Sequence, residues 1–259
     1  MTTTACSAWY LLESGLGEAS FNMALDEAIL QEMPRLDRPV LRFYGWTEKA
    51  ASFGYFQKYA EIERLTLLRP LVRRPTAGGL VPHDADWTYS LVFPASHEWY
   101  SLTATESYCR VHQWIQAAFA KLDLVTELAP QSRKAEPGQC FVGYEKFDLL
   151  WRGQKIAGAA QRRTRDGLLI QGSVQPRFQL WPSPPTAPLS HSGAAREGGV
   201  GGEGHLLLAR AAWQTAMCET VPLDGEVRWI EFGRDRLLDQ RLLELRQRKY
   251  DLASYHQKR

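Results

Sequence analysis

The stretch Arg73-Arg-Pro-Thr-Ala-Gly-Gly-Leu-Val-Pro-His-Asp84 decides how this chain is read. It runs into a segment in which Trp87, Tyr89, Leu91 and Phe93 alternate with Thr88, Ser90 and Val92. That period of two predicts a half-buried strand, so the stretch is a loop feeding a sheet. Gly78-Gly79 frees the backbone to approach a ligand closely and to turn N–H groups toward it. Arg73 and Arg74 supply fixed positive charge of the kind that holds a phosphate or a carboxylate. The same residues also fit a tight turn with two solvated arginines, and the stretch alone leaves both readings open. It is neither the Gly-Lys-Ser/Thr phosphate loop nor the Gly-x-Gly-x-x-Gly dinucleotide turn.

Working outward, Ser20 is placed to cap a helix that runs to about Met33, with Phe21, Ala24, Leu25, Ala28 and Ile29 on one face and Pro34 as its stop. Asp26-Glu27 on that helix reads as a solvated face. Val40 to Trp46 predicts a strand. Thr103-Ala-Thr-Glu106 is a capping box opening a helix whose Val111, Ile115, Ala118, Phe119 and Leu122 share a face. Phe147 to Trp151 and Lys155 to Ala157 predict a hairpin turning at Arg152-Gly153, and Leu168 to Val174 a further strand. Residues 181–204 turn rich in Pro, Ser and Gly without periodicity, which predicts a long flexible loop. A helix near Leu206 to Cys218, a strand near Val227 to Phe232 and a last helix from Arg234 to Tyr250 complete the chain, with Arg246 to Lys249 as a solvated turn. Strands and helices interleave without βαβ alternation, so the class is α+β, read as a single domain over residues 1–259.

Composition bounds the function. The 259 residues are 44% hydrophobic and 23% charged, with a net charge of +2. Nucleic acid is not an expected partner, since that role demands a clearly basic domain or stripe. No apolar run approaches the length of a transmembrane helix, and Met1 to Tyr10 lacks a signal-peptide pattern, so no membrane role and a cytoplasmic location are expected. Cys6, Cys109, Cys140 and Cys218 are widely separated, with no Cys-x-x-Cys pair. Each is either a small buried hydrophobe or a reactive thiol.

Cys140-Phe-Val-Gly-Tyr-Glu-Lys-Phe-Asp148, followed by Gly153-Gln-Lys-Ile-Ala-Gly-Ala-Ala-Gln161, brings one thiol near Lys155 in sequence. An ammonium beside a thiol favours the thiolate, which can attack a thioester and hold the acyl group as a new thioester of similar energy. Lys155 can also steady the developing oxyanion. The bland alternatives are a buried small residue for Cys140 and a solvated turn residue for Lys155.

The first stretch resembles the Arg-Arg-x-x-Gly-Gly-Gly-x-Val-x-His-Asp signature of the lipoate/biotin protein ligase superfamily. Gly153 to Arg162 resembles that superfamily's Gly-x-Lys segment. Ser20 to Glu27, Val40 to Trp46, Ser52 to Gln57 and Gly167 to Ser173 are similar as well, and the order is kept from about Trp9 to Val174. Cys140-Phe141, fifteen residues before Lys155, is similar to the Cys-Phe segment of the cysteine-dependent octanoyltransferases of the Gram-positive type. The resemblance implies a class II synthetase/biotin ligase-like fold, a twisted mixed sheet packed with helices. It implies transfer of octanoyl from acyl carrier protein, through a Cys140 thioester, to a lysine of a lipoyl domain or a glycine-cleavage H protein, with no cofactor. Cys140 and Lys155 are then the catalytic pair, with Arg73, Arg74, Gly78, Gly79, Val81, His83, Gly158 and Ala160 around the substrate.

This chain has Ala77 in place of the first glycine of the triplet, Ala159 in place of a serine, Pro82 before His83, and Gln171 where a histidine is common. Two rival functions stand beside the first: an ATP-dependent lipoate or octanoate ligase, which would use ATP and Mg, and a non-catalytic module that binds a lipoyl domain or carrier protein. Metal binding is not expected, because the histidines show no ligand spacing.

Overall fold

The computed structural model describes residues 7–133, 143–175, 210–223 and 225–259. Cys140 and the 181–204 stretch lie outside the described residues. In chain order the elements are β1 (Ser7–Gly17), α1 (Ala19–Leu36), β2 (Val40–Trp46), β3 (Ala50–Phe53), α2 (Tyr59–Leu65), β4 (Leu71–Arg73), β5 (Val81–His83), β6 (Trp87–Pro94), α3 (Glu98–Ser101) and α4 (Ala104–Ala120). They continue with β7 (Glu127–Leu128), β8 (Leu149–Trp151), β9 (Gln154–Thr164), β10 (Gly167–Val174), α5 (Arg210–Glu219), β11 (Val227–Glu231), α6 (Arg236–Leu245), a π-helical turn (Arg246–Tyr250) and α7 (Ala253–Gln257).

Eight strands form one mixed sheet in the order β11-β1-β2-β6-β10-β9-β8-β7, and β4-β3-β5 form a small second sheet. β11, β1 and β2 run parallel, and the remainder of the large sheet is antiparallel. This is the α+β twisted mixed sheet that the sequence implied. Helices cover both faces. Leu41, Phe43, Leu91, Phe93, Leu168 and Ile170 pack with the apolar sides of α4 and α5, around fully buried Trp9, Trp99, Trp114 and Trp213. Val40, Tyr44, Val92 and Leu169 face α1 and α6 on the other side. Each large apolar side chain so buried contributes about 1.5–3 kcal/mol. Because both faces are covered, all eight residues of β6 are buried, where alternation alone predicted a half-buried strand.

The capping box forms as expected: Thr103 Oγ1 accepts from the Glu106 N–H at 3.2 Å and the Thr103 N–H donates to Glu106 Oε2 at 2.8 Å. The hairpin turns at Arg152 (φ 49°) and Gly153 (φ 73°), two left-handed residues that suit the twist of the strands they join. Helix α1 begins after Glu18 rather than Ser20 and passes Pro34 to end at Leu36, where Asp37 takes a left-handed cap. The expected last helix is α-helical over Arg236–Leu245 and finishes as the π-helical turn Arg246–Tyr250, with α7 following beyond it.

Asp26-Glu27 is a correction: neither residue is solvated. Asp26 Oδ1 accepts from Arg42 at 2.6 Å and Ser90 at 2.7 Å, and its Oδ2 from Tyr44 at 3.0 Å and Gln171 at 2.7 Å. A buried carboxylate persists only when paired and hydrogen-bonded, and four donors meet that need. Glu27 accepts from Lys249 at 2.5 Å and from the Tyr250 hydroxyl. Burial outweighs Glu27 in lowering the Lys249 pKa. The Arg246–Lys249 turn is therefore docked on α1 through Lys249, not wholly solvated.

Candidate active site

A cavity of about 480 Å³ lies between the small sheet and the strands β6, β9 and β10. Its volume falls in the range of about 300–1,000 Å³ usual for small-ligand sites. One wall is the loop between β4 and β5, with Arg74, Gly78, Gly79, Val81 and His83; the other is the start of β9, with Lys155, Gly158, Ala159 and Ala160. Met23, Tyr44, Trp46, Leu65 and Leu80 make much of the rest apolar. Arg133 and Gly143, the described residues on either side of the segment that carries Cys140, also line it.

Arg73 and Arg74 part company. Arg73 lies at the end of β4 and is not among the cavity-lining residues. Its guanidinium donates to the carbonyls of Tyr55 (2.8 Å), Gln57 (2.7 Å) and His256 (2.7 Å), tying the small sheet to α7. Arg74 reaches the cavity, but donates to Ala77 O and Gly79 O, both at 2.7 Å, and to Ser52 Oγ at 3.3 Å. Burial lowers its pKa to about 10, which still leaves the guanidinium charged at neutral pH. Both arginines thus shape the loop by satisfying its carbonyls. Gly78 sits at φ 90°, and a Cβ there would come within 2.7 Å of Arg74 Nη2, so the arginine and the glycine are fitted to each other. Ala77 has no positive φ, so alanine costs nothing at the position where the family shows glycine.

His83 is stacked on Trp46 at 3.8 Å. Its Nε2 lies 2.8 Å from Ser52 Oγ and its Nδ1 2.9 Å from Asp86 Oδ2. Burial opposes ionisation of Asp86, but the facing imidazole and the hydroxyls of Ser173 and Thr88 hold its carboxyl below the ordinary value. A carboxylate three residues on, Asp86, reaches the His83 ring.

Lys155 opens β9. Its ammonium lies 2.7 Å from Asp148 Oδ2, with the lysine side chain 19% exposed and the aspartate wholly buried. Asp148 Oδ2 also accepts from the Glu145 N–H at 2.7 Å, and Oδ1 accepts from the Tyr108 hydroxyl of α4. Burial first, and the Asp148 charge second, push the Tyr108 phenol above its ordinary range. Gly158, beside Lys155 on the cavity wall, has no room for a side chain: a Cβ would stand 2.7 Å from Lys155 Cε and 2.8 Å from Nζ. Sequence reasoning picked Lys155 but missed Asp148 and Tyr108. Asp148 ends the quoted Cys140 segment, and the hairpin it precedes was the available signal.

Among the described residues, no three His, Cys, Asp or Glu side chains cluster in a way that could hold a metal. No described helix is long and apolar enough to cross a membrane.

The two sheets and the helices that cover them follow the fold of solved lipoate-protein ligases. Lipoate-protein ligase A bound with ATP superposes with a TM-score of 0.70 at 19% identity, over 97% of this chain and 98% of that one. The bipartite lipoate protein ligase of Thermoplasma acidophilum, studied with its E2 lipoyl domain, superposes at 0.66 and 19%, over 98% and 97%. Residues 18–183 match the family model of the lipoyl protein ligase A/B catalytic domain, and the chain belongs to that family. It is 36% identical over 187 residues to octanoyltransferase LipM of Geobacillus kaustophilus, covering 66% of each chain. To LipM of Bacillus subtilis it is 34% identical over 181 residues, 64% of each. The likeness therefore spans just under two thirds of these relatives.

Proposed function

We propose that the chain is an octanoyltransferase that takes octanoyl from acyl carrier protein and delivers it to a lysine of a lipoyl domain or H protein. The observation that carries this reading is a lysine ammonium set against a buried carboxylate in the wall of a mainly apolar cavity, in a family whose similar members are octanoyltransferases. The cavity suits an eight-carbon tail, since each methylene buried contributes about 0.8 kcal/mol. Gly143 lines the cavity three residues past Cys140, and three residues of chain span at most roughly 11 Å.

In the first step the Cys140 thiolate attacks the carbonyl of the carrier's thioester; the carbon–sulfur bond to the carrier breaks, the carrier leaves as thiolate and takes a proton from water, and octanoyl is held on Cys140. In the second, the acceptor lysine's neutral amine attacks that carbonyl, the amine gives up a proton, and Cys140 departs as thiolate. Lys155 orients the acyl oxygen and steadies its negative charge as each tetrahedral centre forms. No ATP and no metal takes part, and the cytoplasm, where carrier and acceptor meet, is the place of reaction. The test is transfer from octanoyl-carrier protein to an apo lipoyl domain without ATP, by wild type and by Cys140→Ala. Transfer by the wild type alone supports the thioester route. Equal transfer by both, or activity only with ATP and free acid, assigns the chain to the ligases.

A further inference from the structure

We infer that Asp148 and Tyr108 are positioning residues: together with Gly158 they form a clamp that fixes where the Lys155 ammonium points. The inference rests on the proposed role of Lys155 and extends it to residues that themselves touch no substrate.

Three independent features converge on Asp148. Its backbone is pinned from both sides, because the Phe147 N–H donates to Ala129 O at 2.8 Å and the Ala129 N–H donates to Asp148 O at 2.9 Å. Phe147 is held at φ 72°, a left-handed conformation that is strained for a bulky residue and persists only where its surroundings enforce it. The carboxylate it aims carries three donors: Tyr108 on one oxygen, the Glu145 N–H and Lys155 on the other. A buried carboxylate so held cannot turn to follow its partner, so the lysine turns to meet it.

The other side of the clamp is space. Gly158 leaves the channel through which the lysine stem passes, and a Cβ there would also come within 3.2 Å of Asp148 Oδ1. Behind Tyr108 lies His112, its Nδ1 2.9 Å from Tyr108 O and its ring 4.4 Å from the phenol ring. The imidazole is buried, with its pKa lowered to about 4 by burial, so at neutral pH it packs against the phenol without adding charge. The chain of contacts thus runs from α4 through Tyr108 and Asp148 to the Lys155 amine, on a residue that lines the cavity.

The test compares wild type, Asp148→Asn and Tyr108→Phe in two readouts. The first is the rate at which acetic anhydride labels the Lys155 amine, followed by peptide mass spectrometry, which requires no transfer activity. An amine held 2.7 Å from a fixed, buried carboxylate is shielded from the reagent, so labelling should rise about tenfold in Asp148→Asn and by a smaller factor in Tyr108→Phe. The second is transfer: kcat should fall about 100-fold in Asp148→Asn and about tenfold in Tyr108→Phe, with KM for the donor unchanged. In a Lys155→Ala background the same substitutions should cost nothing further, as expected of residues that act through the lysine. Unchanged labelling in both variants, or losses that add to that of Lys155→Ala, would overturn the clamp. Should the wild type transfer no octanoyl, the function reading falls, and labelling still decides the clamp.

Discussion

The two walls of the cavity are built on opposite plans. On the glycine-loop wall Arg74 and His83 are satisfied within the protein: Arg74 by Ala77 O, Gly79 O and Ser52, and His83 by Ser52 and Asp86. On the hairpin wall a charged amine at the cavity surface is balanced by a wholly buried carboxylate behind it. The first plan makes a rigid surface against which a ligand can lie. The second makes a directed charge, able to act on a reacting group without having to reorganise. Shape on one side and chemistry on the other is the division of labour proposed here.

That comparison breaks first at Lys155. Replacing it with alanine should lower transfer by about 1,000-fold while leaving the fold intact, measured as single-turnover rates beside a thermal melt. If the hairpin wall acts through geometry, Gly158→Val should follow with a loss of about 100-fold, since the new side chain displaces the lysine stem. On the opposite wall, Arg74→Ala should tell mainly in stability. It strands the carbonyls of Ala77 and Gly79, at a cost of about 2–3 kcal/mol in urea unfolding. A larger effect on transfer than on folding there would erase the distinction between the walls.

The smallest expected effect lies behind the clamp. Burial lowers the folded pKa of His112 to about 4 from an ordinary 6.5, so between those values the unfolded chain binds a proton that the folded chain refuses. Stability should therefore fall as the pH drops, by about 1 kcal/mol from pH 6 to pH 5, and His112→Phe should remove that slope.

Much of this was legible in the sequence because it is local. A capping box needs only Thr103 and Glu106, and a hairpin turn only Arg152-Gly153, so both formed where expected. The glycine loop and Lys155 were legible through motif spacing. What escaped depends on packing from afar. Asp26 and Glu27 look like a polar face until Arg42, Ser90 and Gln171 arrive from three strands and Lys249 and Tyr250 from the far end of the chain. Arg73 and Arg74 are neighbours with like charge, yet only the second faces the cavity, because the chain leaves β4 between them. The pairing of Asp148 with Lys155 needed the hairpin register and that of Asp148 with Tyr108 the position of α4, and the hairpin that follows Asp148 is its one mark in the sequence.

The measurement that bears most directly on the central claim is the intact mass of the protein after incubation with octanoyl-carrier protein, without acceptor and without ATP. The account predicts one octanoyl group on Cys140, absent in Cys140→Ala and discharged when an apo lipoyl domain is added. No adduct, in a sample that nonetheless octanoylates the lipoyl domain, would contradict it.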